Sequence, residues 1–70
     1  EDEYEEVRTN VAEYEKTSKA VLEKLAKDED EYVRMSVAKN PNTPTIVIEA
    51  LTNDEDEDVR GLALENFNKN

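Results

Sequence analysis

The dipeptide Val-Arg occurs at Val7-Arg8, Val33-Arg34 and Val59-Arg60, at intervals of 26 residues. The same shift aligns Asp2, Asp28 and Asp54, then Glu3, Glu29 and Glu55, then Glu5, Glu31 and Glu57. It also pairs Val11 with Val37, Ala12 with Ala38, Thr17 with Thr43, Val21 with Val47, Glu23 with Glu49 and Leu25 with Leu51. Leu22 falls on Ile48, a conservative change, and no gap is needed. Such self-similarity is the signature of a repeat architecture, and no other feature limits the fold so much. The units run 1–26, 27–52 and a partial 53–70, all within one domain, 1–70.

Each unit reads as two helices. Tyr4, Val7, Val11 and Tyr14 are spaced as one face of a helix. The second unit offers Val33 and Val37 as a buried stripe, with Met35 and Ala38 beside them; the third offers Val59, Leu62 and Ala63. A second helix starts near Thr17 and again near Thr43, with Val21, Leu22 and Leu25 in one copy and Val47, Ile48 and Leu51 in the other. "TIVI" is β-branched and alone would suit a strand. Its aligned counterpart "KAVLEKLA" is a good helix former, so the register assigns both to helix. A helix pair cannot bury both its faces by itself, so successive pairs stack. The expectation is an all-α fold of five helices: a short α-solenoid of about two and a half 26-residue helix-pair repeats.

The helix boundaries carry their own chemistry. Asp-x-x-Glu at Asp2/Glu5, Asp28/Glu31 and Asp54/Glu57 resembles a capping box, with Asp in place of Ser or Thr. Acids there also oppose the positive pole of the helix dipole. Thr43-Pro44 reads as N-cap and first helical residue. Asn40-Pro41 reads as a stop, because the residue before proline avoids the α region.

Composition excludes several function classes. The chain has no Cys and no His, which removes thiolate metal sites and the commonest general base. A net charge of -10 repels nucleic acid and anionic membranes. "TIVIEAL" is too short to span a bilayer, and "EDEYEEVR" has neither region of a signal peptide. The chain lacks an initiator Met, as expected of a processed product or a piece of something longer. The lack of Cys fits a reducing, cytoplasmic setting.

The stretch "LAKDEDEYVRMSVAKNPNTPTIVIEALTNDEDEDVRGLALEN" resembles the leucine-rich repeat variant, a family similar in style to HEAT and armadillo repeats. The middle unit carries the likeness through Asp28, Val33, Arg34, Val37, Ala38, Asn40, Pro41, Thr43, Pro44 and Leu51. The first unit has "YEKTS" where the second has "NPNTP"; Phe67 stands where a third unit would have Pro, and Glu29 and Glu55 stand where the family usually has Pro. The resemblance implies alternating α-helices and shorter helices, sometimes 3₁₀, in a right-handed superhelix. It says little about activity. An iron–sulfur cluster found on a Cys-rich segment of one member does not transfer to a chain without Cys.

Arg8, Arg34 and Arg60 read either as a basic ladder for an acidic ligand or as a structural ladder bonding acids and helix-end carbonyls. One Arg per unit beside the apolar Val favours the structural reading. Fourteen of the 19 acids fall in three runs, more than capping needs. Stacking sets the runs along one edge, where Asp28, Glu29, Asp30, Glu31, Tyr32, Asp54, Glu55, Asp56, Glu57 and Asp58 are candidate partner-binding residues. Tyr32 stands where the other units have Glu6 and Asp58, so it is expected to be exposed. Asp54, Asp56, Asp58 and Glu65 follow an EF-hand count, but Val59 replaces the obligatory Gly, and 59–65 reads as helix. Asn40, Asn42, Asn66, Asn68 and Asn70 suit turns and C-caps. Gly61 suits a close helix approach, and Tyr4, Tyr14 and Phe67 suit packing or end-capping.

No nucleophile–base pair, phosphate loop or metal spacing is present in the sequence. The expectation is a non-catalytic protein–protein interaction scaffold without cofactor or metal. Its acidic edge suits a basic protein or peptide, and its open end allows self-association. Two other readings stay open: an acidic nucleic-acid mimic that blocks a DNA- or RNA-binding protein, and a structural or designed repeat without ligand.

Overall fold

The computed structural model describes residues 3–69. It contains five helices: α1 (Glu3–Glu13), α2 (Lys19–Leu25), α3 (Glu31–Lys39), α4 (Thr45–Leu51) and α5 (Glu57–Lys69). Among the described residues there is no strand. "TIVI" lies inside α4, where Val47, Ile48 and Leu51 turn to the core.

α3 is the central element, packed between α1 and α5, with α2 against α1 and α3 and α4 against α5. Arg8, in the first half of α1, bonds Asp28 just before α3. Asn40, at the end of α3, bonds Ala12 and Tyr14 at the end of α1. Both ends match, so α1 and α3 run parallel and in register. Arg34 to Asp54 and Asn66 to Ala38 and Asn40 place α5 on α3 in the same way.

The core is small: Ala12, Leu22, Val33, Val37, Ala38, Val47, Ile48, Leu51, Val59 and Ala63. Fully burying one of its larger side chains stabilises by about 1.5–3 kcal/mol. Polar side chains fill the rest: Thr17, Arg34, Ser36, Asn40 and Thr43 are buried as well. Among the described residues every buried side-chain nitrogen and oxygen has a partner, so none carries an uncompensated desolvation cost.

Several boundaries differ from the sequence reading. Asp30, not Asp28, is the N-cap of α3; its side chain accepts from the Tyr32 N–H. Asp28 is drawn away because its carboxylate holds Arg8 and the Asp30 N–H. The N-cap of α4 is Pro44, in extended conformation, and not Thr43. Thr43 is buried and donates to the Val37 carbonyl at 2.8 Å, so its hydroxyl closes the end of α3. Thr17 does the same for Val11, and Ser18 caps α2. The stop at Asn40-Pro41 is where the sequence places it: α3 ends at Lys39, and Asn40 is extended with φ -71° and ψ 123°. Of the Asp2/Glu5 pair, Asp2 lies outside the described residues, and the Glu5 carboxylate accepts from the Thr9 hydroxyl at 3.0 Å.

The apolar stripe of α1 is also not where expected. Val7 and Val11 are 57% and 39% exposed, whereas Val33 and Val37, one register on, are at 0%. Tyr4, Tyr14 and Phe67 are exposed too and do not pack into the core. The cause is position: these side chains lie on outer faces that no described helix covers. Gly61 permits no close approach within the fold, because a Cβ built there meets nothing within 4 Å.

Candidate functional site

Two arginines clamp the parallel helices. Arg8 donates from Nε and Nη2 to the Asp28 carboxylate at 2.8 and 3.4 Å. Arg34 does the same to Asp54 at 2.9 and 3.2 Å, and its Nη1 donates to the Asp28 carbonyl at 2.8 Å. Paired forks of this kind are stronger and more directional than single ion pairs. The Arg34–Asp54 side chains are only 11% and 9% exposed, against 28% and 11% for Arg8–Asp28. Donating its hydrogen bonds to the Asp54 carboxylate holds the Arg34 guanidinium above its ordinary pKa, against the opposing effect of burial. A cation whose pKa rises on folding stabilises the fold at every pH below its ordinary range, and that contribution is lost only in extreme alkali. The arginines therefore serve as a structural ladder, which is the reading their spacing favours.

The clamp accounts for part of the acidic runs. Asp28 and Asp54 each hold an arginine and also accept the N–H two residues on, from Asp30 and Asp56, both at 2.9 Å. Asp30 accepts from the Tyr32 N–H at 2.8 Å, and Asp56 accepts from Asp58 and Val59 at 2.9 and 3.1 Å. Of the candidate edge residues, these four are thus committed to the fold. Glu29, Glu31, Tyr32, Glu55, Glu57 and Asp58 are exposed. Because α3 and α5 are parallel, their N-termini lie on the same side and bring these six to one edge. Parallel helices also set their positive poles side by side. Glu31 in the first turn of α3, and Glu57 and Asp58 in that of α5, offset this unfavourable alignment.

Sequence reasoning missed two features. The sequence suits Asn40 and Asn66 to turns and C-caps, yet both also reach across to a neighbouring helix. The Asn40 amide donates to the Ala12 and Tyr14 carbonyls at 2.8 and 3.0 Å, and that of Asn66 donates to Ala38 and Asn40 at 2.9 and 3.1 Å. The 26-residue spacing of the two was the signal available. The second feature is a shallow groove lined by Glu23, Ala26, Lys27, Ile46, Val47 and Ala50, with Ile46 exposed beside it. Ile46 aligns with Ala20, so the register gave no hint of it.

The Asp54, Asp56 and Asp58 positions do not form a calcium loop: Asp54 and Asp56 face Arg34 and backbone N–H groups, and Glu65 lies within α5. Among the described residues no group of three or more acids is placed to hold a metal ion. No described helix is long and apolar enough to cross a membrane. No family model, no curated protein and no solved structure matches the chain.

Proposed function

We propose that this chain is a non-catalytic protein-binding module. In this reading it is a short α-solenoid of about two and a half 26-residue helix-pair units, in the style of the leucine-rich repeat variant. The stacking is supported by bonds that recur one register apart: Arg8 and Arg34 on Asp28 and Asp54, Thr17 and Thr43 on Val11 and Val37, and Asn40 and Asn66 on the preceding helix end.

The partner is a basic protein or peptide that docks on the edge at the starts of α3 and α5. One observation carries this. After the clamp and the caps have taken Asp28, Asp30, Asp54 and Asp56, five acids and Tyr32 remain exposed on one edge. A dense single-sign edge raises the local concentration of an oppositely charged ligand, and an exposed aromatic among the charges supplies contact area.

The test is titration of a labelled arginine-rich helical peptide into the chain near physiological salt. Neutralising the edge (Glu29→Gln, Glu31→Gln, Glu55→Gln, Glu57→Gln and Asp58→Asn) should weaken binding by at least about tenfold. Neutralising five exposed acids elsewhere, Glu13, Glu15, Glu23, Glu49 and Glu65, should change it by less than about threefold. Equal losses in the two sets would mean that net charge alone attracts the peptide, and the assignment of the edge would fail.

A further inference from the structure

The shallow groove between α2 and α4 has a volume of about 340 Å³. Its depth comes from small side chains. Ala26 and Ala50 flank it, so its floor is the edge of the core at Val47 and Leu51. Ile46 stands over it, 71% exposed. A single exposed isoleucine is ordinary, but one that walls an apolar groove is contact area. The 26-residue register does not require it, because Ala20 holds the aligned place in α2.

The groove has little net charge of its own. Glu23 and Lys27, four residues apart, are of opposite sign, and the Asp54 carboxylate is taken by Arg34. At the end marked by Lys27 and Asp54 the chain passes directly into the acidic runs 28–31 and 54–58. There Glu29, Glu31, Glu55, Glu57 and Asp58 are exposed. The surface thus offers an apolar slot and, next to it, a single-sign acidic edge. A second copy of this chain is a poor occupant, since each carries a charge of -10. A drug-sized molecule is a poor one too, because its pockets are enclosed and run to about 300–1,000 Å³.

We propose that the groove takes the apolar anchor of the basic partner. The partner is a segment of another protein with one large apolar or aromatic side chain, followed on one side by arginines or lysines. The anchor sits between Ala26, Ile46 and Ala50, and the cations lie along the five exposed acids. This deepens the reading of the acidic edge and rests on it for the cations. The two contacts act on different rates. Exposed charges mainly speed the encounter, whereas an aromatic side chain seated in a pocket slows release.

Two arginine-rich helical peptides that differ at one terminal residue, tryptophan or alanine, test this against the intact chain at about 0.15 M salt. The tryptophan peptide should bind at least about tenfold more tightly, with the gain in a slower off-rate. Ala50→Gln puts a longer side chain into the groove, and Ile46→Gln removes its apolar wall. Each should cut the tryptophan gain below about threefold and leave the alanine peptide unaffected. Both positions are exposed, and circular dichroism checks that the variants fold. Neutralising the edge should slow association of both peptides and leave the tryptophan gain in place. Alanine-peptide binding that ignores which acids are neutralised defeats the edge reading and leaves the anchor standing. A tryptophan gain that survives both groove variants overturns the anchor, as does no gain, or no binding of either peptide up to about 1 mM. Equal binding of a tryptophan peptide with glutamine in place of its arginines also overturns the proposal, because the groove then ignores charge. A parent chain that dimerises while Ala50→Gln stays monomeric assigns the groove to a second copy and overturns it too.

Discussion

Replacing Arg34 by alanine should be far more costly than the same change at Arg8 or Arg60, although all three hold the same place in the 26-residue register. The change removes the two-point contact with Asp54 and the bond to the Asp28 carbonyl. It leaves the Asp54 carboxylate, 9% exposed, without its counter-charge. Breaking a buried pair from one side costs about 3–5 kcal/mol, and the residual exposure here points to the lower end, about 3 kcal/mol. A chain this short has only roughly 3.5–10 kcal/mol of total stability. The melting temperature should therefore fall by about 12–24 °C, at 4–8 °C per kcal/mol. Arg8→Ala should cost about 1–2 kcal/mol, because Arg8 is already 28% exposed. Arg60→Ala loses only exposed bonds to two carbonyls, and its cost should stay within about 0.5 kcal/mol. Urea and thermal unfolding followed by far-ultraviolet circular dichroism give all three values. The double change Arg34→Met with Asp54→Asn should recover much of the loss, because the orphan charge disappears while Asn still accepts from the Asp56 N–H. Equal losses at the three arginines, or a loss below about 1 kcal/mol at Arg34, would refute the reasoning.

Other expectations follow from the same contacts. Asn40→Ala should cost about 2–3 kcal/mol by leaving the Ala12 and Tyr14 carbonyls unpaired; Asn40→Asp should be worse at neutral pH, since it turns an acceptor toward them. Chemical denaturation distinguishes the two. Asp30→Ala and Asp56→Ala should each lower stability by about 1 kcal/mol, while Glu29→Gln should be within about 0.5 kcal/mol of the parent. Gly61→Ala should raise stability by up to about 1 kcal/mol, because the added methyl meets nothing and an interior helical glycine is removed. A lowered melting temperature for that variant would show that the space is not free.

Much of the local structure was legible along the chain. The five helices, the β-branched "TIVI" as helix, the stop before Pro41 and the buried pair Val33 and Val37 follow from periodicity, proline sterics and the alignment of one segment on another. The arginines could be read as structural because each sits beside a valine at the same place in the register, although only Val33 and Val59 are buried and Val7 is exposed. The capping residue was not legible to the position. In "DEDE" every member can accept from a helix N-terminus, so local energetics barely separate Asp28 from Asp30. The choice falls to Arg8, which belongs to a different helix and captures Asp28. Likewise, a threonine before a proline is a good N-cap locally, but burial against the end of α3 turns Thr43 to the Val37 carbonyl instead.

The sequence by itself thus determined which segments coil into helices and which apolar positions one helix can offer another, because both depend on neighbours three or four residues away. Only the tertiary structure decided which of those offers are taken. Val33 and Val37 are buried and Val7 and Val11 are not, although the four are alike in sequence, because α3 has a parallel helix on each side and α1 on one. The same packing decides which acids are committed and which face solvent. An aspartate's partner is fixed by a guanidinium 20 residues away, and that distance closes only when the helices stack.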